Sequence, residues 1–103
     1  MSTIYKKRSK LPVNIWVDDI GNNQSIEHNI PKIKVQNNES DKVQDDTFVL
    51  SIEKNPKILA GECKLKSNQL KEIEKFIINN YDLLIQHWNQ EIDTDDLKDI
   101  IYK

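Results

Sequence analysis

Asp18, Asp19, Glu27 and His28 are the residues of this chain whose types suit acid–base chemistry. Two adjacent carboxylates stand where a strand pattern ends. A third carboxylate and an imidazole stand across the turn-rich segment that follows. A loop that gathered them would offer a proton relay, or oxygen ligands for a hard cation. The same residue types also simply solvate a loop, and nothing else in the chain reads as a reaction. Cys63, His28 and His87 are the only soft or imidazole ligands, and their wide separation does not match the paired spacing of a zinc site. A Cys63 nucleophile needs an activating partner and an exposed turn. Cys63 instead shares strand parity with Leu59 and Leu65, the pattern of a half-buried structural thiol. With Gly21 and Gly61 the only glycines, no phosphate-cradling loop can be built. The expectation is a protein that is not an enzyme and uses no metal or other cofactor.

Recognition residues are more plentiful. Lys6, Lys7, Arg8 and Lys10 form a basic block without an acid among them, able to touch phosphates although short charged termini are usually just solvated. Lys32 and Lys34 leave one face of a strand pattern, and Trp16 projects by parity from the solvent side of a neighbouring strand. A tryptophan between lysines can stack a base or anchor a protein. His87, beside Trp88, reads as hydrogen-bonded packing at the edge of a helix stripe. The expected interaction surface is Trp16, Lys32, Lys34, Ile78 and Ile85, with Lys6, Lys7 and Arg8.

The elements that must position these residues follow from periodicity. Residues 1–10 show none and read as a basic flexible arm, leaving 11–103 as a single domain. Val13, Ile15 and Val17 alternate with Asn14, Trp16 and Asp18, a strand with one buried face. Ile33 and Val35 alternate with Lys32, Lys34 and Gln36 after Pro31, and Phe48, Leu50 and Ile52 with Val49, Ser51 and Glu53. A weaker run from Ile58 to Leu65 is interrupted at Ala60 and Gly61, where a bulge or bend is expected. The polar stretches 19–29 and 37–46 read as a surface loop and a mobile loop. Short connections favour an antiparallel meander of about four strands.

From Ser67 the pattern changes to a helical one. Leu70, Ile73, Ile77, Tyr81, Leu84 and Trp88 share a stripe, Phe76 and Leu83 flank it on one side and Ile78 and Ile85 on the other. That is wider than one sheet contact requires. Either the helix breaks near Asn79 and Asn80, or the extra flank is covered by the C-terminal segment or by another subunit. Thr94 is placed to cap a short final helix. The fold expected is α+β: the sheet packed on one long, bent C-terminal helix, plus that final helix.

Of 103 residues, 37% are hydrophobic and 31% charged, enough apolar content for one core. The net charge of −2 hides a basic start and an acidic tail of Glu91, Asp93, Asp95, Asp96 and Asp99. No apolar run spans a bilayer, and Lys6 to Arg8 lead into no signal core. A single cysteine suits a reducing compartment, so a cytoplasmic location without membrane contact is expected.

The order of landmarks is a Leu11, Pro12 start into a strand bearing Trp16, then Glu27, His28 and Pro31 opening a strand, a hairpin, and a helix ending Asn80, Leu83, Leu84, Trp88. Over roughly Leu11 to Asn89 this resembles domain-of-unknown-function family 4160. The resemblance implies a compact α+β domain of small bacterial proteins with links to paired-gene systems, and no activity. Many members carry a Pro-His-x-His pattern after the proline; here those positions hold Lys32 and Lys34, so no histidine or metal role carries over. The function expected is a non-catalytic protein-interaction module, docking a partner such as an adjacent gene's product or a second copy. The alternative is nucleic-acid binding through the basic block and the Lys/Trp face.

Overall fold

The computed structural model describes residues 2–20, 30–43 and 45–102. Its first strand, β1 (Ser2–Ile4), falls where the sequence pattern suggests a loose arm. The period is invisible there because Ile4 is the strand's only apolar residue. Pairing with β2 (Ile15–Val17) nevertheless sets Ile4 opposite Ile15 and buries it completely. A single turn, α1 (Lys6–Ser9), follows. The Tyr5 amide beside it donates to the Tyr102 hydroxyl at 3.2 Å, and the Arg8 guanidinium stacks 4.3 Å from the Tyr102 ring centroid. The arm is thus tied to the sheet and to the far end of the chain.

Strands β3 (Lys32–Gln36), β4 (Thr47–Ser51) and β5 (Ile58–Ala60) continue the meander, giving five antiparallel strands in sequence order among the described residues, instead of about four. One face carries Ile4, Ile15, Val35 and Phe48 in one transverse row and Val17, Ile33 and Leu50 in the next, all buried. The other face carries Thr3, Trp16, Lys34, Val49 and Ala60 in register, each at least partly exposed. This is the one-sided alternation of an antiparallel sheet covered by helices on a single face.

Parity puts Asn14 and Gln36 on the polar side, yet both are fully buried. Asn14 accepts from the Lys6 amide at 2.8 Å and donates to the Gln36 side-chain oxygen at 3.3 Å and to the carbonyls of Ser40 and Asp41. Gln36 donates to the carbonyls of Ser40 and Lys42 at 3.0 and 3.2 Å and to the Asn38 side chain at 3.1 Å. Asn37 bridges Asp46, Glu62 and Lys64 in the same way. The expected mobile loop of 37–46 is therefore laced to the sheet by three amide side chains. Amides suit this because each offers donors and an acceptor together, matching backbone groups that no strand or helix satisfies.

The run expected from Ile58 to Leu65 stops at Ala60, because Gly61 turns the chain with φ +78°. The register with β4 shifts at Val49 and Leu50. A Cβ on Gly61 would lie 2.9 Å from the Thr47 carbonyl oxygen and 3.0 Å from the Phe48 Cα, both backbone atoms. Gly61→Ala is expected to cost about 1–3 kcal/mol through strain and clash. A denaturant midpoint equal to wild type would contradict this.

Helix α2 (Ser67–Asn79) begins where the Gln69 side chain accepts from the Lys66 amide, and buries Ile73 and Ile77. It does not run on unbroken. The Asn80 side chain donates back to the Phe76 carbonyl at 2.9 Å, ending α2, while its own carbonyl accepts from Leu84 and starts α3 (Tyr81–Trp88). An asparagine that satisfies the last turn with its own side chain favours termination over continuation. The apolar girdle too wide for one contact is thus split between two helices, and Ile85 turns inward to pack against the core. Helix α4 (Thr94–Ile101) is capped by Asp93, whose carboxylate accepts from the Asp96 amide at 2.8 Å, one residue earlier than the Thr94 cap expected. Its Leu97 is fully buried in the same core cluster as Ile4, Ile33, Phe48, Ile77 and Leu84. Among the described residues no helix is long and apolar enough to cross a membrane.

Candidate interaction surface

Three surfaces stand out. The first is the part of the second sheet face that the 37–46 loop leaves partly exposed, among the described residues. Trp16 lies directly opposite Lys34, as parity predicts, so an aromatic plane and an ammonium are cross-strand neighbours. Lys32 does not complete the set: its ammonium lies 5.1 Å from the centroid of the buried Trp88 ring. Burial holds its pKa below the ordinary lysine range against the opposing pull of Asp18. The basic block is partly engaged as well. Lys6 pairs with Asp41 at 3.7 Å and donates to the Glu39 carbonyl, and Arg8 stacks on Tyr102, leaving Lys7 exposed.

The second surface is a cleft of about 390 Å³ between the end of α3 and the start of α4, lined by Asp19, His87, Glu91, Asp93, Thr94 and Asp96. His87, 4% exposed, meets the Thr94 hydroxyl at 2.9 Å. Of the acid–base set read from sequence, Asp19 lies here, Asp18 lies next to it along the chain, and Glu27 and His28 fall outside the described residues. No group of three or more metal-ligating side chains occurs among the described residues. Cys63 is half-buried against the core, as expected, but not through strand parity: the strand ends at Ala60 and Leu59 is exposed.

The imidazole works structurally here, fastening α3 to α4. Burial is the main influence on it and lowers its pKa below the ordinary histidine value, with Asp19, Asp18 and Asp93 opposing. Since the unfolded chain then takes up the proton first on acidification, the stability this site contributes is complete above about pH 6.5 and falls away as pH drops through the folded-state value. Unfolding titrations from pH 8 to pH 5 should show that loss in the wild-type chain and a flatter profile in His87→Gln. Parallel profiles would count against it.

The third surface is the groove beside the α2/α3 break, about 470 Å³, lined by Lys54, Ile78, Tyr81, Asp82, Leu83 and Ile100. Sequence periodicity set Ile78 beside Ile85 and opposite Leu83. The break changes the company: Ile85 is packed away, and Ile78 joins Leu83 and, from α4, Ile100. Ile78 and Ile100 stay 48% and 49% exposed, much as Ile30, Val43 and Ile58 do, but these two come together in one groove. Ile100 was legible only as an apolar position of the last helix, since its meeting with Ile78 depends on how α4 folds back.

Fold and surface together define an α+β domain with one helix-covered sheet face, a second face partly exposed among the described residues, and an apolar groove at a helix break. No protein-family model, curated protein or solved structure matches this chain.

Proposed function

We propose that this chain is a non-catalytic protein-interaction module whose docking surface is the groove at the α2/α3 break. One observation carries the reading: Ile78 and Ile100, from helices distant in sequence, lie half-exposed on the walls of one groove, where a monomer gains nothing from leaving them uncovered. The cleft around His87 supports catalysis less well, because its imidazole is buried and already bonded to Thr94. Membership of domain-of-unknown-function family 4160, a small bacterial protein and a cytoplasmic location belong to the same proposal, resting on the Leu11 to Trp88 landmarks and the lone thiol. Affinity capture from native extract tests it. A stoichiometric companion, another copy or another chain, is expected with the wild-type chain and absent with Ile78→Asp and Ile100→Asp, each checked for an unchanged thermal melt. Equal capture by all three chains would refute it.

A second reading is nucleic-acid binding by the partly exposed sheet face, favoured by the Trp16–Lys34 pairing. It is the weaker one, since Lys6 and Arg8 are occupied within the chain. Quenching of Trp16 fluorescence by single-stranded oligonucleotide, steeply reversed by salt, is its signature. Unchanged emission at low salt removes it.

A further inference from the structure

We infer that the occupant of the groove is a second copy of this chain, paired about a two-fold axis; this rests on the groove being a docking surface and adds the identity of what fills it. A two-fold interface places the same patch on both partners, so it must complement itself in charge as well as in shape. The groove does. Its apolar strip of Ile78, Leu83 and Ile100 is accompanied by one cation, Lys54, and one anion, Asp82. Both are exposed, and neither forms an ion pair among the described residues. A two-fold axis running between Lys54 and Asp82 sets Lys54 of one copy toward Asp82 of the other, twice per dimer, while the isoleucines cover each other. The cleft around His87 has the opposite character: its charged carboxylates, Asp19, Glu91, Asp93 and Asp96, would repel a second copy of themselves. A strip this small belongs with interfaces that bury less than about 1,200 Å², so the dimer is a reversible one.

Charge reversal on the full-length chain tests the pairing by sedimentation equilibrium from micromolar to millimolar concentration. Wild type is expected to shift from monomer to dimer across that range. Lys54→Glu sets two acids together in each contact and Asp82→Lys sets two bases together, so each variant alone should dissociate about tenfold more readily or beyond. An equimolar mixture of the two variants should recover the dimer, because both contacts are then between opposite charges. Thermal melts of both variants establish that they are folded. Ile78→Asp should abolish the dimer outright. Wild type that stays monomeric throughout, or a mixture of variants no more associated than either alone, overturns self-pairing. If wild type is monomeric while Ile78→Asp loses a different, stoichiometric companion, the groove reading stands and only the second copy falls. A dimer untouched by Ile78→Asp and by both reversals lies elsewhere and takes both ideas down.

Discussion

Asn14→Leu is expected to cost this protein about 3–5 kcal/mol, a large share of the 5–15 kcal/mol that holds a typical domain together. The exchange nearly preserves volume, so packing is not the cause. Leucine takes the acceptor from the Lys6 amide and one donor from the Gln36 side-chain oxygen, both at a side chain that is itself fully buried. Each such orphan costs roughly 1–3 kcal/mol. The carbonyls of Ser40 and Asp41 lose a donor too, so amides of the 37–46 loop should exchange faster even where the protein stays folded. Asn14 and Gln36 bond each other directly, so the double Asn14→Leu, Gln36→Leu variant should be less damaged than the two single losses added together, with a coupling of about 0.5–3 kcal/mol. Urea midpoints for the four chains decide it. A single variant within about 1 kcal/mol of wild type would show that the amides are spectators.

Leu97→Ala should be nearly as severe, at about 3–4 kcal/mol for a leucine removed from a sealed core. The loss has a direction. Leu97 is the one fully buried residue of an eight-residue helix, too short to persist unless docked. Undocking α4 would also withdraw Thr94 from His87, Ile100 from the groove, and Tyr102 from Tyr5 and Arg8. Hydrogen exchange in the variant should therefore show residues 94–102 and 2–9 losing protection together, ahead of β3 and β4. Uniform loss over the whole chain, or none at α4, would contradict this coupling of the two ends.

The same coupling explains what composition could not show. The basic block reads as an arm for phosphates when Lys6, Lys7 and Arg8 are considered as charges along a string. Folded, the Lys6 amide is held by Asn14 and the preceding Tyr5 amide by Tyr102, and the Lys6 and Arg8 side chains meet Asp41 and Tyr102. Exposed pairs of this kind stabilise little, typically below about 1 kcal/mol, but they occupy the groups a phosphate would need. The Trp16–Lys34 face remains as the part of that reading with support.

What the sequence determined by itself was whatever repeats at short range. Alternation at Val13 to Val17, Ile33 to Val35 and Phe48 to Leu50 wrote the buried face of the meander, because a pleat sends every second residue inward. The 3.6-residue stripe wrote the helices, and the excess width of that stripe already implied either a break or a further covering element. Asn79 and Asn80 marked where a break would fall. Tertiary structure decided everything that depends on residues far apart. β1 exists because a single isoleucine finds a slot beside Ile15. Asn14 and Gln36 are buried because a loop folds over them, and periodicity assigns them to water. Ile78, Leu83 and Ile100 form a groove because α3 turns and α4 returns. A periodic pattern records which side of its own element a residue takes; it holds no record of which other element will come to meet it.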